Sequence, residues 1–131
     1  MFRVGTAIEF PAQHIMPDVE GPEGELHSHD YRLDVVVERE QLDDRGMVCD
    51  LDVLEAALQQ IDEIVRDKNL EVIRPAEANA VTVEVFARWA HDFLADAISE
   101  TGAEGLSVRV WENSMSFGGY TGRIDRRDAT G

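Results

Sequence analysis

Three of the four histidines, His14, His27 and His29, fall within one short stretch of the chain. His27 and His29 are two residues apart, so on a strand both imidazoles point to one face while Ser28 points to the other. If the strand before them pairs with theirs as a hairpin, His14 at its end comes opposite the start of the next. Three neutral imidazoles then converge around an open fourth position, the ligand set of a catalytic rather than a structural zinc ion. Spacing alone leaves a second reading open, two exposed histidines with a third nearby by coincidence. The fourth, His91, lies inside a helical pattern and reads as a surface or core histidine.

The elements that must position these residues follow from periodicity. Residues 3–10 read as a strand that Pro11 interrupts. Residues 16–25 hold two prolines, two glycines and four acids, the composition of a loop. From His29 onward Tyr31, Leu33, Val35 and Val37 alternate with more polar neighbours, the period of a half-buried strand, and residues 41–46 read as a turn. Leu51, Leu54, Leu58, Ile61 and Val65 recur at helical spacing behind Asp50, an N-cap. Residues 69–81 form a connection. Thr82 caps a second helix, in which Val85, Trp89 and Phe93 make one stripe beside Phe86, Ala90, Leu94 and Ala97, and Gly102 ends it. Alternation over 106–111 gives a third strand and 115–124 a glycine-interrupted fourth, while the charged segment 123–131 is expected to fray. The order ββααββ is an α+β fold. Two helices cover only one face of an antiparallel sheet, so the other face and the strand edges are expected to meet another subunit.

Composition narrows the function. A chain of 131 residues fits a single domain over 1–131. Twelve basic against 27 acidic side chains give a net charge of −15. Such a surface repels nucleic acid and anionic membranes. A hydrophobic fraction of 44% is too high for a disordered acidic segment. The single cysteine, Cys49, makes no internal disulfide, and the first residues lack the order of a secretory signal, which implies a cytoplasmic protein. No apolar run approaches the roughly 20 residues of a membrane span.

A set of local motifs carries a family resemblance. Phe10-x-Ala12-x-His14, Leu26-His27-Ser28-His29-Asp30-Tyr31, Gly46-Met47-Val48-Cys49-Asp50-Leu51, Lys68-Asn69-Leu70, Thr82-x-Glu84 and Val110-Trp111-Glu112 occur in an order that resembles the 6-pyruvoyltetrahydropterin synthase and 6-carboxytetrahydropterin synthase family. The resemblance implies a tunnelling fold, in which three ββααββ subunits join their sheets into a barrel and two rings stack into a homohexamer with the pterin at a subunit boundary. It implies zinc on His14, His27 and His29. Glu112 matches the glutamate that grips the guanidine-like edge of the pterin, where a carboxylate accepts two parallel N–H bonds. Its plain alternative is an exposed acid at a strand end. Thr82 matches a threonine beside the pterin, although capping accounts for it as well, and Glu84 is similarly placed.

Departures from the family pattern set the chemistry. Glu23 stands four residues before His27, where the resemblance leads one to expect a proton-transferring cysteine, and Cys49 falls at a variable position as a small buried residue. Arg66-Asp67 stands where an Asp-His pair is expected. A partly desolvated carboxylate can do general acid/base work, which makes Glu23, helped by Asp67, the catalytic pair of a zinc-dependent lyase acting on 7,8-dihydroneopterin triphosphate or a related pterin. A subgroup with glutamate in the cysteine position cleaves that side chain to a 6-hydroxymethyl pterin. If Glu23 is instead a solvated loop acid, the chain is a non-catalytic zinc- and pterin- or purine-binding oligomer.

Overall fold

The computed structural model describes residues 1–125. Four antiparallel strands, β1 (Phe2–His14), β2 (His27–Arg39), β3 (Gly105–Trp111) and β4 (Phe117–Arg123), form one sheet in the order β1-β2-β3-β4. Helices α1 (Leu51–Val65) and α2 (Val83–Ala97) lie between β2 and β3 in the chain. The expected ββααββ order holds, and both helices cover one sheet face.

Local chemistry explains the boundaries. The Asp50 carboxylate accepts from the Asp52 amide at 2.9 Å, and the Thr82 hydroxyl accepts from the Val85 amide at 3.1 Å, so each helix starts on a side chain that satisfies an orphan donor. Asn69 does the same for a short 3-10 turn, Leu70–Ile73, inside the expected connection. Gly102, at φ 87°, makes the left-handed turn before β3.

Pro11 does not end β1. It pairs with Asp30, and the strand runs on to His14 opposite His27. The Pro11 carbonyl accepts from the Asp67 amide at 2.8 Å on the side away from β2, so the missing proline N–H faces that outer edge and costs the ladder nothing. Extension of the strand is what carries His14 to the end of the hairpin where His27 and His29 lie. β2 likewise begins at His27 rather than His29. At the other terminus Arg123 is the last residue of β4, paired with Gly105, rather than the start of a frayed segment. The rest of that segment, 126–131, lies outside the described residues. β4 itself starts at Phe117, because Asn113 accepts from the Met115 and Ser116 amides and folds 112–116 into the turn.

The core lies between the helices and alternate residues of the strands: Phe10, Tyr31, Leu33 and Val108 from the sheet meet Leu54, Leu58, Ile61, Phe86 and Leu94. Phe86, Ala90 and Leu94 are the buried stripe of α2. Val85, Trp89 and Phe93 are only its half-buried flank, and Ala97 is exposed, so the expected emphasis of that helix shifts by one residue. His91 is buried. Cys49 is buried too, and burial pushes its thiol pKa up.

The first turn of α2 presses on β4 at Gly118. A Cβ there would stand 2.6 Å from Val83 Cγ2 and 2.9 Å from the Glu84 amide nitrogen. Gly118→Ala is therefore expected to lift the start of α2 from the sheet and to cost about 1–3 kcal/mol, an overpacking penalty that a urea unfolding curve measures.

Candidate metal centre and adjoining groove

The register of the first hairpin assembles the site. His14 pairs with His27 and Ala12 with His29, so all three imidazoles project to the helix-covered face at one end of the sheet. Their ring centroids are 5.5 Å apart for His14 and His27 and 4.7 Å for His27 and His29. One nitrogen from each lies within 4.8 Å of the others, close enough for one ion to reach all three after small ring rotations.

Hydrogen bonding distinguishes this cluster from chance neighbours. Both nitrogens of His14, Nε2 of His27 and Nε2 of His29 are buried with no hydrogen-bond partner. Buried polar atoms are rarely left so. Nδ1 of His27 donates to the Glu25 carbonyl at 2.7 Å, which fixes the tautomer and leaves the Nε2 lone pair facing the cluster, as a ligating histidine requires. Burial, then the neighbouring His27 and His29, lower the pKa of His14 and keep its ring neutral. A divalent cation with a preference for nitrogen ligands fits these residues, and the three-histidine set suits zinc with a vacant fourth position.

Two carboxylates face the cluster. Glu23 Oε2 lies 3.5 Å from Nε2 of His27, and the charges of both Glu112 and Glu23 act on His14 and on Tyr31. The 3-10 turn Pro22–Gly24 holds Glu23 there, helped by the Met16 amide, which donates to the Glu23 carbonyl at 2.9 Å. Glu112 immediately follows β3 and is half-buried, its amide donating to the Ser116 carbonyl at 3.3 Å. Thr82 is spent on the α2 cap, but its helix start packs on Gly118, which pairs with Val110, so it stands at the same end of the sheet as Glu112. Asp67 sits elsewhere. It is exposed in a left-handed turn, φ 59°, on the outer flank of β1, where its charge supports the neighbouring Arg66.

Beside the cluster opens a groove of about 680 Å³, lined by Ser28, His29, Tyr31, Arg32, Trp111 and Glu112 among others. That volume is in the range of small-molecule sites. Its aromatic wall is continuous with the core: His29 meets Tyr31 at 5.7 Å, and Tyr31 stacks on Phe10 at 5.9 Å. Burial and the two glutamates push the Tyr31 hydroxyl pKa up, so it keeps its proton. Trp111 is pinned by Nε1 donating to Asp34 Oδ2 at 2.7 Å, while Arg109 Nε donates to Oδ1 of the same carboxylate at 2.9 Å. Tyr31 and Trp111 are legible as strand positions and as members of the family motifs but not as lining of a groove, and Asp34 only as a strand position. The one available signal was adjacency, since Trp111 precedes Glu112 and Tyr31 follows the histidine pair.

Comparison with known proteins agrees with this geometry. Among curated proteins no sequence matches. Among solved structures, Caenorhabditis elegans 6-pyruvoyl tetrahydropterin synthase superposes with a TM-score of 0.75 at 21% identity, covering 92% of this chain and 95% of the other. The Plasmodium falciparum enzyme gives 0.73 at 12% identity, over 93% and 99%. A catalytic-residue mutant of the Plasmodium vivax enzyme, with a glutamate changed to alanine, gives 0.71 at 14%, over 95% and 100%. Likeness at such identities speaks for the fold alone. The sequence family described as 6-pyruvoyl tetrahydropterin synthase, however, matches residues 3–123, from the start of β1 to the end of β4, and the chain belongs to that family.

Proposed function

We propose that the protein is a zinc-dependent lyase that cleaves the side chain of a dihydropterin, 7,8-dihydroneopterin triphosphate or a related pterin. The observation that carries this reading is the set of buried histidine nitrogens without partners, next to two carboxylates and an open groove. Zinc held by His14, His27 and His29 supplies Lewis acidity toward a side-chain hydroxyl. Glu112 accepts a pair of N–H bonds from the ring and so fixes which way the side chain points. Thr82 borders the ring, and Trp111, its indole held by Asp34, supplies the aromatic wall of the groove. Glu23, beside His27, takes and returns the proton, and Asp67, on the outer flank of β1, takes no part. The Plasmodium vivax protein, whose catalytic residue is itself a glutamate, supports a carboxylate in that role.

A second reading, a non-catalytic zinc- and pterin-binding oligomer, draws on the 61% exposure of the Glu23 side chain, which leaves that carboxylate well solvated. Anaerobic incubation with dihydropterins and mass analysis of the products separates the two. The lyase yields a shortened pterin and the excised fragment. Pterin that is bound but returned intact selects the second reading, and failure to bind any pterin overturns both.

The proposal includes a homo-oligomer, a hexamer of two trimers. Among the described residues nothing pairs with the outer edge of β4, and the sheet face opposite the helices is uncovered. Strand edges of this kind recruit partners. Light scattering is expected to give at least a trimer at micromolar concentration, and a stable monomer would contradict the assembly. Among the described residues no helix is long and apolar enough to cross a membrane.

A further inference from the structure

We infer that Asp34 is a positioning residue for the ring anchor: through Trp111 it fixes where Glu112 stands, and so sets how tightly the site holds a pterin. The inference rests on the pterin reading above, in which Glu112 grips the ring, and adds to it a residue that does not itself line the groove.

Glu112 has little of its own to hold it. The last rung of the β3–β4 ladder is Trp111 opposite Phe117, so Glu112 lies just beyond the sheet. Its amide reaches the Ser116 carbonyl at 3.3 Å, longer than the usual separation of about 2.9–3.0 Å. Residues 113–116 are exposed, and the side chain that shapes their turn is Asn113, a member of the turn itself. The direction in which Glu112 leaves the sheet is therefore set at Trp111.

Asp34 holds Trp111 in place. It stands on β2 directly opposite Arg109, and by strand alternation Asp34, Arg109 and Trp111 share the sheet face away from the helices. Although it is a carboxylate, Asp34 is only 8% exposed, and both its oxygens are engaged. Oδ2 accepts from the Trp111 indole at 2.7 Å and Oδ1 from Arg109 Nε at 2.9 Å. The Arg109 guanidinium then lies over two aromatic rings, 5.6 Å from Trp111 and 5.5 Å from Phe117, whose centroids are 4.5 Å apart. One buried carboxylate thus locks the indole, and with it the two strand ends from which the 112–116 turn springs. Charge-assisted bonds of this kind are short and directional, and breaking one leaves a buried group unpaired. Another ion pair on the same face offers a control, since Arg3 and Glu38, 2.9 Å apart, do not line the groove.

The test is calorimetry of neopterin on the zinc-loaded protein carrying Asp34→Asn, alone and together with Glu112→Gln. The amide keeps the shape of the carboxylate but turns an NH₂ group toward one of its two donors. Alone it is expected to weaken neopterin binding at least about fivefold, part of the loss that a hydrogen bond to a charged group can cause, with zinc content unchanged. In the Glu112→Gln background the same change should cost less than about twofold, because the anchor it places is already impaired. Trp111→Phe removes the indole donor and leaves the carboxylate. It should show the same pattern, and it decides alone if Asp34→Asn does not fold. Glu38→Gln should bind neopterin as the wild type does. Equal losses with and without Glu112→Gln, unchanged affinity in the single variants, or a comparable loss in Glu38→Gln would each overturn the inference and leave the pterin reading standing. A wild type that binds no neopterin overturns the pterin reading, and the inference falls with it.

Discussion

His27→Ala is expected to strip the protein of its metal. The wild type should carry about one zinc per chain by elemental analysis, and the variant close to none, because two imidazoles from one side of a hairpin leave half the coordination sphere to solvent. The effect is large for a physical reason already visible in the hydrogen bonding. Nδ1 of His27 is locked onto the Glu25 carbonyl, so its Nε2 is presented in one tautomer and one direction, and no neighbouring side chain reproduces that. The same assay on His14→Ala and His29→Ala completes the comparison. Full metal retention after any two of the three substitutions would remove the histidines as ligands. Circular dichroism on each variant separates metal loss from unfolding, since the ligands lie at the end of the sheet and Phe10, Tyr31 and Phe86 pack behind them without a metal.

The second large effect separates Glu23 from Glu112. Glu23→Gln is expected to lower turnover by roughly 10²-fold or more, the share of a positioned acid or base, and to leave zinc and pterin binding nearly intact. Glu112→Gln should act on affinity, weakening every pterin by about 1.5–3 kcal/mol, the magnitude for hydrogen bonds to a charged group. Calorimetry with neopterin and the product assay, run on both variants, resolve the difference between rate and affinity. Unchanged turnover in Glu23→Gln would end its catalytic role, and unchanged affinity in Glu112→Gln would end its role as the ring anchor.

Much of this arrangement was legible in the residues because it is local. Asp50 and Thr82 announce the helix starts, the alternation from Tyr31 to Val37 announces β2, and three histidines at hairpin spacing announce a common face. What escaped reading depends on partners distant in the chain. Pro11 looks like a strand end until the Asp67 amide is seen to donate to its outward-facing carbonyl. Which stripe of α2 is buried depends on where Gly118 lets the helix approach, and nothing within the helix itself encodes that glycine. Trp111 belongs to the groove only because Asp34, on the neighbouring strand, holds its indole. Asp67 shows the same limit from the other side. Its position in the chain suggested a partner for Glu23, whereas the left-handed turn carries its side chain to the outer flank of β1.

Sheet connectivity also sets an order of assembly. His14 and His27 are joined by a loop of only 12 residues, 15–26, whereas the β2–β3 ladder closes across 65 residues, 40–104, which include both helices. Loop closure makes the second step costlier by about 1.5 kcal/mol on length alone, and pairings so far apart in sequence slow folding. All three histidines thus belong to the part of the chain that can form early, while Glu112 reaches them only when the central ladder zips. A metal ion captured by the nascent hairpin would hold β1 and β2 in register while the helices are still being laid down, so refolding with zinc should be faster than refolding without it.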